Sequence, residues 1–179
     1  MAITIHDVEQ RSPEWFALRK GKVTGSNSHI LLTNGLEQAL QTNTSNTGFS
    51  NYWATRGKLL EKDAIELYEK LYDIDVLVPG FVTNTDYPNA GASPDGIAGN
   101  IILVEVKAFK DEKHNSITED NIPFTVMAQL QFNMLICELE TSDLVLYNPD
   151  LSIDKAFKKI SVPKNTPIAS NIINKLRGK

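Results

Sequence analysis

The stretch SPDGIAGNIILVEVKAF, residues 93–109, sets the frame for the whole chain. Its apolar run 101–104 passes straight into Glu105-Val106-Lys107, and Asp95 stands ten residues before Glu105 in a Pro-Asp-Gly turn. Strand side chains alternate between faces, so Ile101, Leu103, Glu105 and Lys107 point one way and Ile102, Val104 and Val106 the other. Both faces are apolar up to Glu105, which predicts a covered strand over 101–108. An unpaired charge buried there costs several kcal/mol. Glu105 and Lys107 therefore need partners, or the strand end opens into a cleft. The Asp95 turn can bring in a second carboxylate. Two carboxylates and a carbonyl oxygen make a hard-oxygen site of the kind Mg²⁺ prefers, and a lysine beside them suits positioning an attacking water or steadying a phosphate. The same residues also fit an ordinary amphipathic strand after a Pro-Asp-Gly turn. The segment alone leaves both readings open.

Outward from this strand, helix and strand signals alternate. Ser12-Pro13 predicts a helix start, with Ser12 as cap and Pro13 at the first position, and Gly21 as its stop. A second helix is expected from about Thr24–Ser26 to Leu32. Residues 42–51, TNTSNTGFSN, read as a polar, turn-prone loop. Residues 56–72 carry Leu60, Ala64, Leu67, Tyr68 and Leu71 on one helical stripe. Short strands are expected at 76–78 and 81–83, split by Pro79-Gly80. Residues 111–122 read as loop, 127–140 as a buried helix, 144–147 and 157–162 as strands, and the segment after Pro163 and Pro167 as a short helix. This order predicts an α/β (α+β) domain, a central mixed sheet flanked by helices, with residues 1–179 forming one domain.

Composition narrows the class. The chain has 179 residues, 41% hydrophobic and 22% charged, as in ordinary globular proteins. Its one cysteine, Cys137, excludes an internal disulfide framework and any four-cysteine zinc or iron–sulfur site, and reads as core. The start, MAITIHDVEQ, lacks a basic region leading into an apolar block, which predicts no secretory leader, and no apolar run reaches membrane-span length. Net charge is −4, unevenly spread: residues 61–150 carry seventeen acidic against five basic side chains, and residues 151–179 one against seven. An acidic centre beside a basic end fits a metal-holding middle next to a phosphate-binding surface. On charge alone, a solvated acidic helix and a basic tail is the favoured reading.

Three further segments bear on the choice. Glu61 shares a helix face with Ile65, Tyr68 and Tyr72, so it borders the apolar stripe and can add a third carboxylate. Gln129 lies on the buried helix beside Phe132, Asn133 and Ile136, where an amide needs partners. Arg19 ends the first helix and Ser26 opens the next, and a guanidinium near a hydroxyl at a helix start suits an anion.

Taken in order, EWFALRKGKVTGSN, RGKLLEKDAIELYE, GASPDGI, LVEVKAF and MAQLQFNMLI resemble the YqaJ-like viral recombinase nucleases, the lambda exonuclease family of the PD-(D/E)XK superfamily. The resemblance implies a restriction-endonuclease-like fold and a Mg²⁺ site, with Mn²⁺ able to substitute. Its ligands would be Asp95, Glu105, the Val106 carbonyl and Glu61. It implies catalytic roles for Asp95, Glu105, Lys107 and Gln129, with Lys107 acting on the water. Arg19, Ser26 and Ser93 match phosphate-binding positions, and Trp15 a packing position. The implied activity is hydrolysis of linear double-stranded DNA, as a 5′→3′ exonuclease of phage-type recombination, in the cytoplasm of a bacterial host. A single-strand annealing protein and a homo-oligomer, a trimer, are the implied associations; no membrane is involved. An endonuclease of the same superfamily and a non-catalytic DNA-binding protein remain the alternatives. Ala108-Phe109 follows Glu-x-Lys here, where Cys-Pro stands in lambda exonuclease, and the segments between Ser26 and Gly57 and between Lys107 and Gln129 are short.

Overall fold

In chain order, the computed structural model, which describes residues 2–44 and 52–179, begins with β1 (Ile3–His6) and α1 (Pro13–Arg19). A single 3-10 turn, Gly25–Asn27, leads into α2 (Ser28–Asn34), α3 (Leu36–Thr44) and the long α4 (Tyr52–Tyr72). Four short strands follow: β2 (Val76–Leu77), β3 (Phe81–Asn84), β4 (Gly91–Ala92) and β5 (Gly96–Ala98). Then come β6 (Ile102–Lys107), α5 (Asp111–Ser116), α6 (Phe124–Ile136), β7 (Thr141–Tyr147), α7 (Ile153–Ala156), β8 (Phe157–Pro163) and α8 (Thr166–Leu176).

The strands form a five-stranded sheet in the order β2-β5-β6-β7-β8 and a three-stranded sheet in the order β1-β3-β4. Within the larger sheet β6 and β7 pair in parallel and the other pairs are antiparallel, so the sheet is mixed, as expected. A parallel pair needs a crossover, and α5 and α6 lie in the connection between these two strands.

The period-2 pattern of β6 decides what covers each face. Leu103 packs into the larger core cluster with Leu130 and Met134 of α6, Leu31 of α2 and Ile172 of α8. Val104 and Val106 pack on the other face with Ala64, Ile65 and Tyr68 of α4. Burying such side chains contributes roughly 1.5–3 kcal/mol each. Ile101 falls outside the strand and is 66% exposed, so the covered segment starts one residue later than expected. The helix stripe is also corrected at one end. Leu60, Ala64 and Tyr68 are buried, but Leu71, on the same stripe, is 56% exposed, so the last turn of α4 runs past its cover.

Local chemistry explains the helix ends. Ser12 Oγ accepts a 3.2 Å bond from the Trp15 amide at the start of α1, and Gly21, at φ 70, turns the chain after it. The buried helix α6 starts earlier than expected, at Phe124, and stops at Ile136, because Cys137 caps it and Glu138 turns left-handed at φ 56. Two expected loops are helices in part. Residues 42–44 finish α3, whose Ala39 and Thr42 are tied to Asn27, and the rest of that loop, 45–51, lies outside the described residues. Residues 111–116 form α5, with Asp111 and Glu112 in its first turn and Lys113 and His114 in its last, an order that suits the helix dipole. The helix expected from Thr24 opens instead as the 3-10 turn, in which Asn27 Oδ1 accepts a 2.7 Å bond from the Thr24 amide. Among the described residues no helix is long and apolar enough to cross a membrane. Cys137 is buried, and burial pushes its thiol up to about 12.

A buried polar knot anchors α4. Asp143, on β7, accepts a 2.7 Å bond from the Tyr68 hydroxyl, a 2.5 Å bond from Ser161 Oγ and a 3.1 Å ion pair from Lys159. These contacts fix the helix that carries Glu61 against the sheet that carries Glu105.

Candidate active site

Register brings the two carboxylates together. Gly96 pairs with Val104 across β5 and β6, so Asp95 and Glu105, one step further along, sit side by side. Asp95 Oδ2 accepts a 2.7 Å bond from the Val106 amide, which closes the strand end. Glu105 is 1% exposed and points toward α6, as the alternation requires. Its Oε1 accepts from Lys107 Nζ at 2.7 Å and from Gln129 Nε2; its Oε2 accepts from Asn133 Nδ2 at 3.2 Å. Gln129 Oε1 in turn accepts a 3.1 Å bond from Lys107. Glu105, Lys107 and Gln129 are thus one hydrogen-bonded set, and the Asp95–Val106 bond lies beside it on the same strand end.

Glu61 approaches from α4. It lines a cleft of about 300 Å³ with Asp95, Ile65, Glu69, Val76 and Val78. It also lines a second cleft of about 440 Å³ against residues 7–11. Gln10 ties that segment to the site by donating 3.1 Å and 3.4 Å bonds to the Pro79 and Pro94 carbonyls. Burial holds the Asp95 carboxyl well above the usual range, and the neighbouring Glu105 and Glu61 charges add to the shift. Burial works to lower Lys107, but Glu105, Asp95 and Glu61 outweigh it and hold the ammonium above the ordinary lysine value.

Does this set fit a divalent cation? Among the described residues, no group of three or more His, Cys, Asp or Glu side chains converges as a cage. Mg²⁺ does not need one: it keeps several waters and takes one or two carboxylates. The Glu105 and Glu61 charges that raise the proton affinity of Asp95, offset by Lys107, form the electrostatic setting a hard cation relieves. The donors fit Mg²⁺ and, lacking thiolate and imidazole, do not suit a structural zinc.

A second group lies around Trp15. The Arg19 guanidinium stacks 4.1 Å over the Trp15 ring and donates a 3.1 Å bond to Thr24 Oγ1. Burial lowers Arg19 to about 10, which leaves it cationic at neutral pH. Thr24 Oγ1 lies 3.2 Å from Ser26 Oγ, and Ser26 is exposed. The Trp15 indole donates to Ser93 Oγ at 2.9 Å and to the Gly80 carbonyl at 3.0 Å. Arg19, Ser26 and Ser93 are therefore linked through Trp15 and Thr24, and Ser93 stands two residues before Asp95. Sequence reasoning missed Thr24 as the bridging hydroxyl and Asn133 as the third donor to Glu105. The signal for Asn133 was its place one helical turn after Gln129.

Solved structures share this fold. LHK-Exo in complex with dAMP is 26% identical, with a TM-score of 0.79 over 93% of this chain and 90% of that one. A second structure of that alkaline exonuclease, from Laribacter hongkongensis, gives 24% identity and a TM-score of 0.77 over the same shares. A phage-related exonuclease from Haemophilus somnus shares the fold at 11% identity, with a TM-score of 0.64 over 90% of this chain and 93% of that one. No curated protein matches the sequence. The family model of the YqaJ-like viral recombinase domain matches residues 14–140, a span that holds Trp15 and Arg19 at one end and Gln129 and Asn133 at the other. More than half the chain lies under that one description, and the chain belongs to the YqaJ-like viral recombinase domain family.

Proposed function

We propose that this nuclease is a Mg²⁺-dependent deoxyribonuclease that hydrolyses linear double-stranded DNA as a 5′→3′ exonuclease, used in phage-type recombination. The observation that carries the reading is the gathering of Asp95, Glu105 and Lys107 at the end of β6. Asp95 and Glu105 would hold the cation with the Val106 carbonyl, and Glu61 would join from α4; Mn²⁺ would substitute. When bound, the metal supplies Lewis-acid stabilisation of the charge that gathers on the phosphate oxygens.

The chain's own residues do the rest. Lys107, held by Gln129, orients the attacking water and places a positive charge beside the scissile phosphate. Water adds to phosphorus, the P–O3′ bond breaks, and each released nucleotide keeps its 5′-phosphate. Arg19, Ser26 and Ser93 bind the terminal phosphate through charge-assisted and hydroxyl hydrogen bonds, which sets the polarity. The dAMP complex of LHK-Exo supports a nucleotide-phosphate site on this fold. Residues 1–179 act as one nuclease domain in the cytoplasm of a bacterial host. A homotrimer and a single-strand annealing partner are the associations that the resemblance favours.

The test is digestion of linear and covalently closed duplex DNA with Mg²⁺, with EDTA, and with Lys107→Ala. Metal-dependent loss of the linear DNA alone, absent in the folded variant, is the expected result. Cutting of the closed circle moves the reading to an endonuclease. No cleavage of either by folded wild-type protein overturns it in favour of a binding role.

A further inference from the structure

The Glu105 carboxylate is held on both oxygens, and only one side of that grip belongs to Lys107 and Gln129. The other is Asn133, 1% exposed on α6, whose Nδ2 donates to Oε2 at 3.2 Å. The Asn133 oxygen has no hydrogen-bond partner, one of few such buried atoms among the described residues. Turning the amide over would set its oxygen against the carboxylate, acceptor facing acceptor, so the nitrogen faces Glu105. A buried acceptor left unsatisfied is uncommon and costly. Something else must hold the amide in this orientation.

Gly25 does so by having no side chain. A Cβ there would collide with Asn133 Oδ1 and stand 3.0 Å from its Cγ and 3.1 Å from its Nδ2. The amide therefore lies directly against the Gly25 backbone. The 3-10 turn cannot easily retreat. Ser28 Oγ donates a 2.7 Å bond to the Gly25 carbonyl, and Asn27 Nδ2 donates a 2.6 Å bond to the Ala39 carbonyl.

We propose that Asn133 is a positioning residue that fixes the plane of the Glu105 carboxylate for cation binding, and that Gly25 is the platform that fixes Asn133. The turn that presents Ser26 on its outer side thus also holds a metal-binding carboxylate from its inner side. This inference rests on the proposed role of Glu105 in holding the cation.

The test measures Mg²⁺ affinity by isothermal titration calorimetry, Mg²⁺ dependence of cleavage, duplex-end binding in EDTA, and thermal melting. Partners that orient a metal ligand typically contribute about 10–100-fold in metal affinity. Asn133→Ala is expected to weaken Mg²⁺ binding about tenfold while end binding stays within about twofold. Asn133→Leu keeps the volume without the donor and should show the same loss, which covers the case where alanine destabilises the fold. Gly25→Ala should reproduce the loss. The double variant Gly25→Ala/Asn133→Ala should be no worse than Asn133→Ala alone, because the smaller side chain frees the space. Mg²⁺ affinity unchanged in the Asn133 variants, with only melting affected, overturns the proposal. So do Gly25 and Asn133 effects that simply multiply. If wild-type protein neither binds Mg²⁺ nor cleaves DNA, the functional reading itself has failed and this inference falls with it.

Discussion

Asp95 and Val106 are joined by a 2.7 Å hydrogen bond that spans eleven residues, from a turn to the strand it faces. The bond fixes one carboxylate oxygen and brings the whole group beside Glu105. Asparagine at 95 keeps an acceptor for the Val106 amide but removes the charge. Asp95→Asn is therefore expected to fold, to melt in EDTA no lower than wild type because a repelling buried charge is gone, and to lose about 10³-fold in cleavage rate, the several kcal/mol a bound cation supplies. Thermal melts and single-turnover cleavage read the two halves separately. A variant that unfolds, or one that cleaves normally, contradicts this account of the turn.

Arg19 offers a test of polarity. Its guanidinium is stacked on Trp15 and bonded to Thr24, so it is pre-oriented and cationic at neutral pH. A charge-assisted hydrogen bond contributes about 1.5–3 kcal/mol. Wild-type enzyme should therefore prefer 5′-phosphorylated over 5′-hydroxyl ends, and Arg19→Ala should reduce that preference by about 10–100-fold. Arg19→Lys should restore only part of it, because lysine lacks the planar stack and the fork of donors. The ratio of kcat/KM values on the two ends is the measurement. Equal ratios in wild type and variants would remove Arg19 from phosphate recognition.

Asp143 tests how α4 is held. It is buried and takes bonds from Tyr68, Ser161 and Lys159, so it links helix to sheet. Its loss leaves Lys159 half-stranded and the Tyr68 hydroxyl without its acceptor, and burial together with Asp143 holds that hydroxyl well above the usual tyrosine value. Breaking such a buried pair typically costs about 3–5 kcal/mol. Asp143→Ala should lower the urea midpoint by an amount corresponding to that loss, with cleavage retained where the protein is folded. A change under about 1 kcal/mol would show that the knot contributes little.

His114 predicts an acid-side loss of stability. It is 1% exposed, its Nε2 lies 2.9 Å from the Lys155 carbonyl, and its Nδ1 has no hydrogen-bond partner among the described residues. Burial first, and Lys158 second, hold the imidazole below its ordinary value of 6.5; the Lys155 carbonyl and Asp111 oppose this only in part. The unfolded chain therefore takes up this proton before the folded one does. The stability tied to neutral His114 is complete above pH 6.5 and is lost as pH falls from there toward the folded value. Wild type should melt lower at pH 5.5 than at pH 7.5, and His114→Gln should narrow that gap. An identical gap in both would assign the acid sensitivity elsewhere.

The parts of the fold legible in the sequence were those where burial and period coincide. β6 could be read side chain by side chain, because a two-residue alternation has only one way to face two different helices. Ser12-Pro13 and Gly21 bracketed α1 through backbone chemistry that acts locally. α3 and α5 were not legible because α5 has no apolar stripe and that of α3, Leu36, Ala39 and Leu40, is short. α5 buries only His114, and α3 is tied by Asn27 to backbone and hydroxyl groups. The short strands β4 and β5 have two and three residues, too few to show a period. In the site, charged residues at a strand end stood out, whereas Asn133 and Asp143 did not. A polar side chain reads the same in sequence whether it faces water or closes a buried network, and only the packing of α6, β7 and β8 separates the two cases.

The chain's one cysteine, Cys137, is the buried C-cap of α6, with its thiol pushed up to about 12. The reactive thiolate is then both scarce and shielded in the native protein. A maleimide label should reach it only when the end of that helix opens. The speed of labelling thus times the breathing of the same helix that steers Glu105, and a cysteine introduced anywhere on the surface would take up a fluorophore alone.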